Sequence, residues 1–219
     1  MWARYDCITG EKEDLIDHLK NVGKYAKKIA NCLKGVLNKN MEREAEIAGY
    51  FHDLFKVVYQ PENIDEFCKS NSRLTFKHHE VASAVFLANY ALKVDDLGLD
   101  EDGIRRSVKA VLFHHQGLRA ITLGDFFEGY NYVVKRINKN TNVNIVLEEL
   151  GFKKVDDVLS LLDFRILEGI INKGDVYDRF LSGILMVADN LTTMRALNKS
   201  AKRLLELEIL DYLNAIGCV

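Results

Sequence analysis

A histidine and an aspartate in adjacent positions, His52 and Asp53, stand inside the apolar run Gly49-Tyr50-Phe51-His52-Asp53-Leu54-Phe55-Lys56. An ionisable pair flanked by Phe51, Leu54 and Phe55 is costly to bury unless a partner or a metal meets its charge. Any fold this chain adopts has to supply that counter-charge from elsewhere. Imidazole and carboxylate both ligate first-row transition metals, and adjacent helical residues point about 100° apart, so the pair can serve two coordination positions or two ions. Alone, a His-Asp dipeptide is more often a surface pair or a capped core histidine. The argument rests on what the other histidines do.

Apolar periodicity places those histidines on helices. Leu15, Leu19, Val22, Ala26, Ile29 and Leu33 recur at helical spacing from Glu11 to Leu37, opened by Thr9 or Gly10, with His18 at the border of the apolar face. A second helix is predicted from Glu42 to Val58 and carries His52 and Asp53. Pro61 and the polar run from Glu62 to Thr75 break the pattern and read as a loop or a short helical turn, a lid or entrance. Its Lys69 and Arg73, with Lys77, form a modest basic cluster able to meet phosphates or simply to be solvated. The third helix, Phe76 to Leu92, holds His78-His79-Glu80 in its first turn, His79 inward and His78 exposed. The fourth, Gly103 to about Gln116, ends in His114-His115 before Gly117, where two imidazoles also suit a helix C-terminus.

Residues 118–175 are less regular: a helix over Leu123 to Ile137, a polar turn at Asn138 to Asn144, a short strand over Asn144 to Leu147 and a helix over Val155 to Ile171. They read as an insertion shaping the substrate entrance. From Asp175 a helix runs through Leu191 and carries Asp189 in an apolar setting. A last helix, Lys199 to Ile216, offers no chemical groups and reads as structural or associative. One proline and runs of Leu, Ala, Lys and Glu favour an all-α fold, and 219 residues suit a single domain spanning 1–219. The formal net charge of -2 excludes a global basic field, and no Gly-x-x-x-x-Gly-Lys-Ser/Thr loop is present, so the chain is no ATP motor. Cys7, Cys32, Cys68 and Cys218 show no Cys-x-x-Cys spacing and suggest neither a zinc ribbon nor a disulfide framework. With no apolar run long enough to span a membrane, the reading is a cytoplasmic protein.

The order His18, His52-Asp53, His79, His114-His115, Asp189 on five successive helical segments resembles the HD-domain metal-dependent phosphohydrolases, and His79 with His114-His115 resembles their two-metal subset. Trp2-Ala3-Arg4, Leu15-x-x-His18, His52-Asp53-x-x-Lys56, His79-Glu80-x-x-Ser83 and Phe113-His114-His115 look like the HD nuclease of type I CRISPR interference, here as a stand-alone chain without its helicase. The resemblance covers almost the whole chain and implies an HD-domain helical bundle. It implies that His18, His52, Asp53 and Asp189 hold one metal and Asp53, His79, His114 and His115 a second, with Asp53 bridging. Lys56 matches a catalytic, substrate-contacting lysine near the scissile phosphate, and Thr193 a substrate-side position often occupied by serine. Phe55 departs from the pattern, which often has glycine there.

Two divalent ions about 3.5–4 Å apart polarise a phosphoryl oxygen, acidify a water for in-line attack and stabilise the leaving oxygen. Five imidazoles favour manganese, iron, cobalt or nickel, and substrate phosphates can recruit magnesium. The implied substrate is single-stranded DNA, or RNA, delivered by a separate CRISPR helicase subunit and an RNA-guided surveillance complex. Two rivals share these residues: an HD phosphohydrolase of nucleotides or cyclic dinucleotides, and a non-catalytic helical adaptor.

Overall fold

The first long helix does not begin at Thr9 or Gly10. In the computed structural model, which describes residues 1–94, 97–115, 123–137, 142–196, 211, 213–215 and 217–218, Thr9 and Gly10 lie in the turn between two short antiparallel strands. These are β1 (Trp2–Tyr5) and β2 (Lys12–Asp14), with Arg4 opposite Glu13, and Gly10 has the positive φ of 74° that the turn needs. Asp14 then caps α1 (Leu15–Leu37), its carboxylate accepting the N–H groups of Ile16 and Asp17. Residues 11–14 therefore leave the helix and bring Glu13, buried, toward His18.

The second predicted helix breaks where its chemistry sits. α2 (Glu42–Phe51) ends before His52, Asp53 adopts φ -112° and ψ 10°, and a 3-10 helix follows over Leu54–Tyr59. α3 (Ile64–Cys68) is the short turn expected after Pro61. α4 (His79–Lys93) opens after His78, which stands in the left-handed region at φ 61°. α5 (Glu101–Phe113) stops just before His114, and α9 (Val176–Ala196) presents Asp189.

Between them lie α6 (Leu123–Val134), α7 (Val143–Glu149) and α8 (Arg165–Ile171). α7 replaces the predicted strand over Asn144 to Leu147. Its Val143, Val146 and Leu147 are all buried at helical spacing, which outweighs the β-branched composition. The predicted helix over Val155 to Ile171 begins as a loop, makes a 3-10 turn at Leu159–Leu161 and becomes helical only at Arg165. There the Asp163 carboxylate accepts the Arg165 backbone N–H and its guanidinium. The predicted turn at Asn138 to Asn144 and the final helix over Lys199 to Ile216 fall largely outside the described residues. The fold is helical apart from the small hairpin.

α1 packs on α2 and α9, and α5 packs on α4, α2 and α9, so the five segments bearing the candidate ligands share one core. Phe51, Phe55, Phe86 and Tyr90 are all fully buried there. α1 and α2 approach backbone to backbone: a Cβ on Gly49 would lie 2.5 Å from Gly23 Cα and 2.6 Å from Gly23 N.

The cysteines overturn their sequence reading. Cys7 pairs with Cys68 and Cys32 with Cys218, across separations of 61 and 186 residues. Spacing along the chain carries no trace of pairs so distant. The first ties the hairpin turn to α3, and the second ties the C-terminal end to α1. Among the described residues no helix is long and apolar enough to cross a membrane.

The glycine contact yields a test. Gly49→Ala is expected to cost about 1–3 kcal/mol by overpacking two backbones, whereas Gly35→Ala, in open space on α1, should gain about 0.5–1 kcal/mol. Urea denaturation of the two variants measures both, and equal midpoints would contradict the close approach.

Candidate metal centre

The break after α2 aims two neighbouring side chains at one point. In a continuous helix His52 and Asp53 diverge by about 100°. Asp53 instead occupies the sparsely populated bridge region of backbone space, and both residues are fully buried in the same centre. The His52 ring nitrogen Nε2 lies 3.3 Å from Asp53 Oδ2. The peptide N–H of Phe55 donates to Ser83 Oγ at 3.1 Å, and the Phe55 ring packs on Phe86. Phe55, in place of the expected glycine, thus points into the core and leaves the centre open.

His18, on α1, places Nε2 3.2 Å from His52 Nε2, 3.2 Å from Asp53 Oδ2 and 3.3 Å from Asp189 Oδ1. On the other side of the carboxylate, His79 Nε2 lies 2.6 Å and His114 Nε2 3.7 Å from Asp53 Oδ1. The His115 ring sits 5.2 Å from that of His79 and 3.8 Å from that of His114. Two groups of potential ligands result, His18-His52-Asp53-Asp189 and Asp53-His79-His114-His115, each with its donor atoms within 4.8 Å of one another. Asp53 belongs to both.

The ring nitrogens facing away fix the tautomer that each imidazole takes when neutral. His52 Nδ1 meets the Gly49 carbonyl at 2.8 Å, His79 Nδ1 the Phe76 carbonyl at 2.6 Å and His114 Nδ1 the Val111 carbonyl at 2.7 Å. His18 Nδ1 meets Glu13 Oε1 at 2.8 Å. Carbonyls only accept, so these Nδ1 atoms carry hydrogens and each neutral ring turns a lone pair inward, the arrangement of metal-bound histidines. His114 Nε2 is buried with no hydrogen-bond partner. Two inward imidazole nitrogens 3.2 Å apart, an unsatisfied ring nitrogen and a buried carboxylate facing imidazoles on both of its oxygens call for a cation, so the residues fit divalent metal.

Charge in the metal-free protein is balanced by protons. Burial alone pushes Asp53 and Asp189 up, yet the imidazoles around them, and for Asp53 also Lys56, hold both carboxyls well below the usual range. Burial depresses His18 and His52, but the carboxylates of Asp189 and Asp53 outweigh it and raise both, His18 strongly. His114 goes the other way, lowered chiefly by burial.

Lys56, on the 3-10 turn, sets Nζ 2.5 Å from Asp53 Oδ2, 3.3 Å from the Ala3 carbonyl and 5.0 Å from the centre of the Phe76 ring. It lines a cavity of about 810 Å³ that also exposes His79 and His115. Arg4, Arg73 and Lys77 line its walls with Tyr5 and Phe76, and α6 contributes Asp125 and Phe126. Of the basic cluster seen in the sequence, Lys69 instead pairs with Glu66 on the surface. Thr193 reaches the far side of Glu13, its Oγ1 3.5 Å from Oε2, behind His18. Glu13 escaped the sequence reading because it was assigned to a helix facing elsewhere; an acid five residues before an inward histidine was the available signal.

A family model for the HD domain matches residues 15–194, and the chain belongs to that family, within a superfamily of metal-dependent phosphohydrolases. The match opens at the first residue of α1 and closes next to Thr193, so it contains the whole ligand set. No curated protein and no solved structure matches the chain.

Two outcomes follow from the hydrogen bonding. Glu13→Ala leaves His18 Nδ1 without its acceptor and should weaken metal binding about 10- to 100-fold, read by titration against a chelating indicator; unchanged affinity would remove Glu13 from the centre. Because His18 and His52 are held above the ordinary imidazole value, metal displaces their protons, and affinity should keep rising with pH above that value. Calorimetry in buffers of different ionisation enthalpy should detect the released protons at neutral pH.

Proposed function

We propose that this chain is a nuclease that hydrolyses phosphodiester bonds of single-stranded nucleic acid, mainly DNA. The observation that carries the reading is the composition of the cavity beside the metal centre. Its walls bring Arg4, Arg73 and Lys77 together with the rings of Tyr5 and Phe76, a combination suited to a phosphate backbone and unstacked bases, and the carboxylates of Asp6, Glu11, Glu80 and Asp125 line the same cavity. A site for one small nucleotide needs no such open extent.

When bound, two divalent ions at the paired ligand groups supply Lewis-acid activation of the phosphoryl group and an acidified water for in-line attack. The remaining work falls to the chain. Asp53 fixes the separation of the two ligand groups by offering one oxygen to each. Lys56, anchored on Asp53 and on the Ala3 carbonyl, keeps a positive charge at the cavity floor beside the scissile phosphate. Arg4 and Arg73 hold phosphates on either wall, and Tyr5 and Phe76 receive base or sugar faces. Thr193 acts at one remove, steadying the carboxylate that orients His18.

In this reading the nuclease belongs to a type I CRISPR interference system in the cytoplasm, where a separate helicase, recruited by the RNA-guided surveillance complex, feeds it single strand. The net charge of -2 supports reliance on a partner, since the isolated chain has little general attraction for nucleic acid. Its two disulfides pull against a reducing compartment, although hyperthermophiles do keep disulfides inside cells.

The test is cleavage of labelled single-stranded and duplex DNA by metal-stripped protein resupplied with manganese, nickel, cobalt, iron or magnesium. Single strand should be cut and duplex spared, and Asp53→Ala should lose activity and bound metal together. Turnover of nucleoside phosphates or cyclic dinucleotides with no cutting of single strand would move the protein to the small-nucleotide class. Intact protein that binds no metal and turns over nothing would make it a helical adaptor.

A further inference from the structure

Beyond the cavity, a line of side chains continues the chemistry of the site. The Phe76 ring, on the cavity wall, stands 5.9 Å edge-on to Tyr59. The Arg136 guanidinium, on the turn after α6, lies 5.8 Å from the Tyr59 ring and 3.6 Å from that of Tyr132. Tyr132 in turn meets His78, 5.7 Å away and back on the cavity wall. The five groups close around Lys77, whose carbonyl accepts the Tyr59 hydroxyl. His78 is held there in a left-handed conformation, φ 61°, which costs a non-glycine residue, and Gly129 leaves it room: a Cβ on that glycine would lie 2.8 Å from His78 Nδ1. Arg136 and Lys77 are exposed and, among the described residues, neither is paired with a carboxylate.

Resting on the single-strand reading above, we infer that Arg136, Tyr132 and Tyr59 form an accessory subsite for the nucleotide that leaves the cavity past Lys77. A guanidinium placed over a ring keeps edge donors for phosphate oxygens, and the tyrosine surface left beside it receives a base. Arg136 NH1 is engaged by the Tyr132 carbonyl at 2.8 Å, which fixes the plane of the fork without consuming it. Continuity with the catalytic cavity, through Phe76 on one side and His78 on the other, identifies the occupant as the same strand. The chemistry required is a phosphodiester flanked by an unstacked base; a lone mononucleotide ends before it.

The experiment compares kcat/KM of the metal-loaded protein for a 20-mer (about twenty nucleotides, longer than one cavity can hold) with kcat/KM for bis(p-nitrophenyl) phosphate. In Arg136→Ala and in Tyr132→Ala the ratio of the two should fall roughly tenfold. Binding of the labelled oligonucleotide should show a slope against log salt shallower by about 0.7 in Arg136→Ala, the signature of one lost phosphate contact. Arg136→Lys should restore the slope but not the ratio, because an ammonium keeps the charge and loses the planar fork. Wild-type protein that cuts the oligonucleotide, with the ratio and slope unmoved in both variants, would overturn the subsite alone. Wild-type protein that hydrolyses only the small diester would overturn the single-strand reading and the subsite with it.

Discussion

Everything in this molecule is arranged around one fully buried carboxylate. Asp53 divides its two oxygens, Oδ1 toward His79 and His114 and Oδ2 toward His18, His52 and Lys56, and these residues come from α1, α4, the end of α5 and the break after α2. An unmet charge at such a site costs several kcal/mol. The helices are thus obliged to converge there, and the convergence is what gives the chain a centre rather than a set of separate amphipathic packings. The cost explains the local backbone as well. A regular helix through Asp53 would send His52 and Asp53 to different places, so the chain leaves the helix at Asp53 and continues as a 3-10 turn that keeps both inward.

The centre is incomplete on electrostatic grounds. Three carboxylates, Glu13, Asp53 and Asp189, face a single lysine, and protons on His18 and His52 make up the difference in the metal-free state. Those protons sit on nitrogens whose opposite edges are already committed to Glu13 and to the Gly49 carbonyl. A divalent ion held by these residues would replace those protons as the balancing charge, and outer partners such as Glu13 and the Gly49 carbonyl, carried by the tight α1-α2 contact, orient the rings that would hold it.

What the sequence revealed follows from how each signal is encoded. His18, His52, His79 and Asp189 were legible because helical periodicity assigns each a face, and a polar residue on an apolar face is conspicuous. The 3-10 break was illegible: Leu54 and Phe55 continue the helical pattern, and only the need to turn Asp53 inward interrupts it. Glu13 was hidden by a hairpin of seven strand residues, too short for alternation to register. α7 was misread because Asn-Ile-Val-Leu has strand composition, while its burial follows positions three and four apart. The disulfides join residues far apart in the chain, and no local rule anticipates them. The aromatic walls of the cavity were invisible for the same reason, since Tyr5 and Phe76 are brought to one cavity only by tertiary packing.

The distribution of charge sets what this nearly neutral protein presents at the mouth of its cavity. Its acidic groups at the centre are buried and neutralised by imidazoles and Lys56, whereas the opening mixes Arg4, Arg73 and Lys77 with Asp6, Glu11 and Asp125. The Cys7–Cys68 disulfide and the backbone pairing of Asp6 with Arg73 hold the two walls that carry these cations, the hairpin and the segment after α3, at a fixed spacing. Attraction between exposed charges falls steeply with distance in salt, so cations held at fixed spacing act on a ligand's charge only once it lies at the mouth of the cavity.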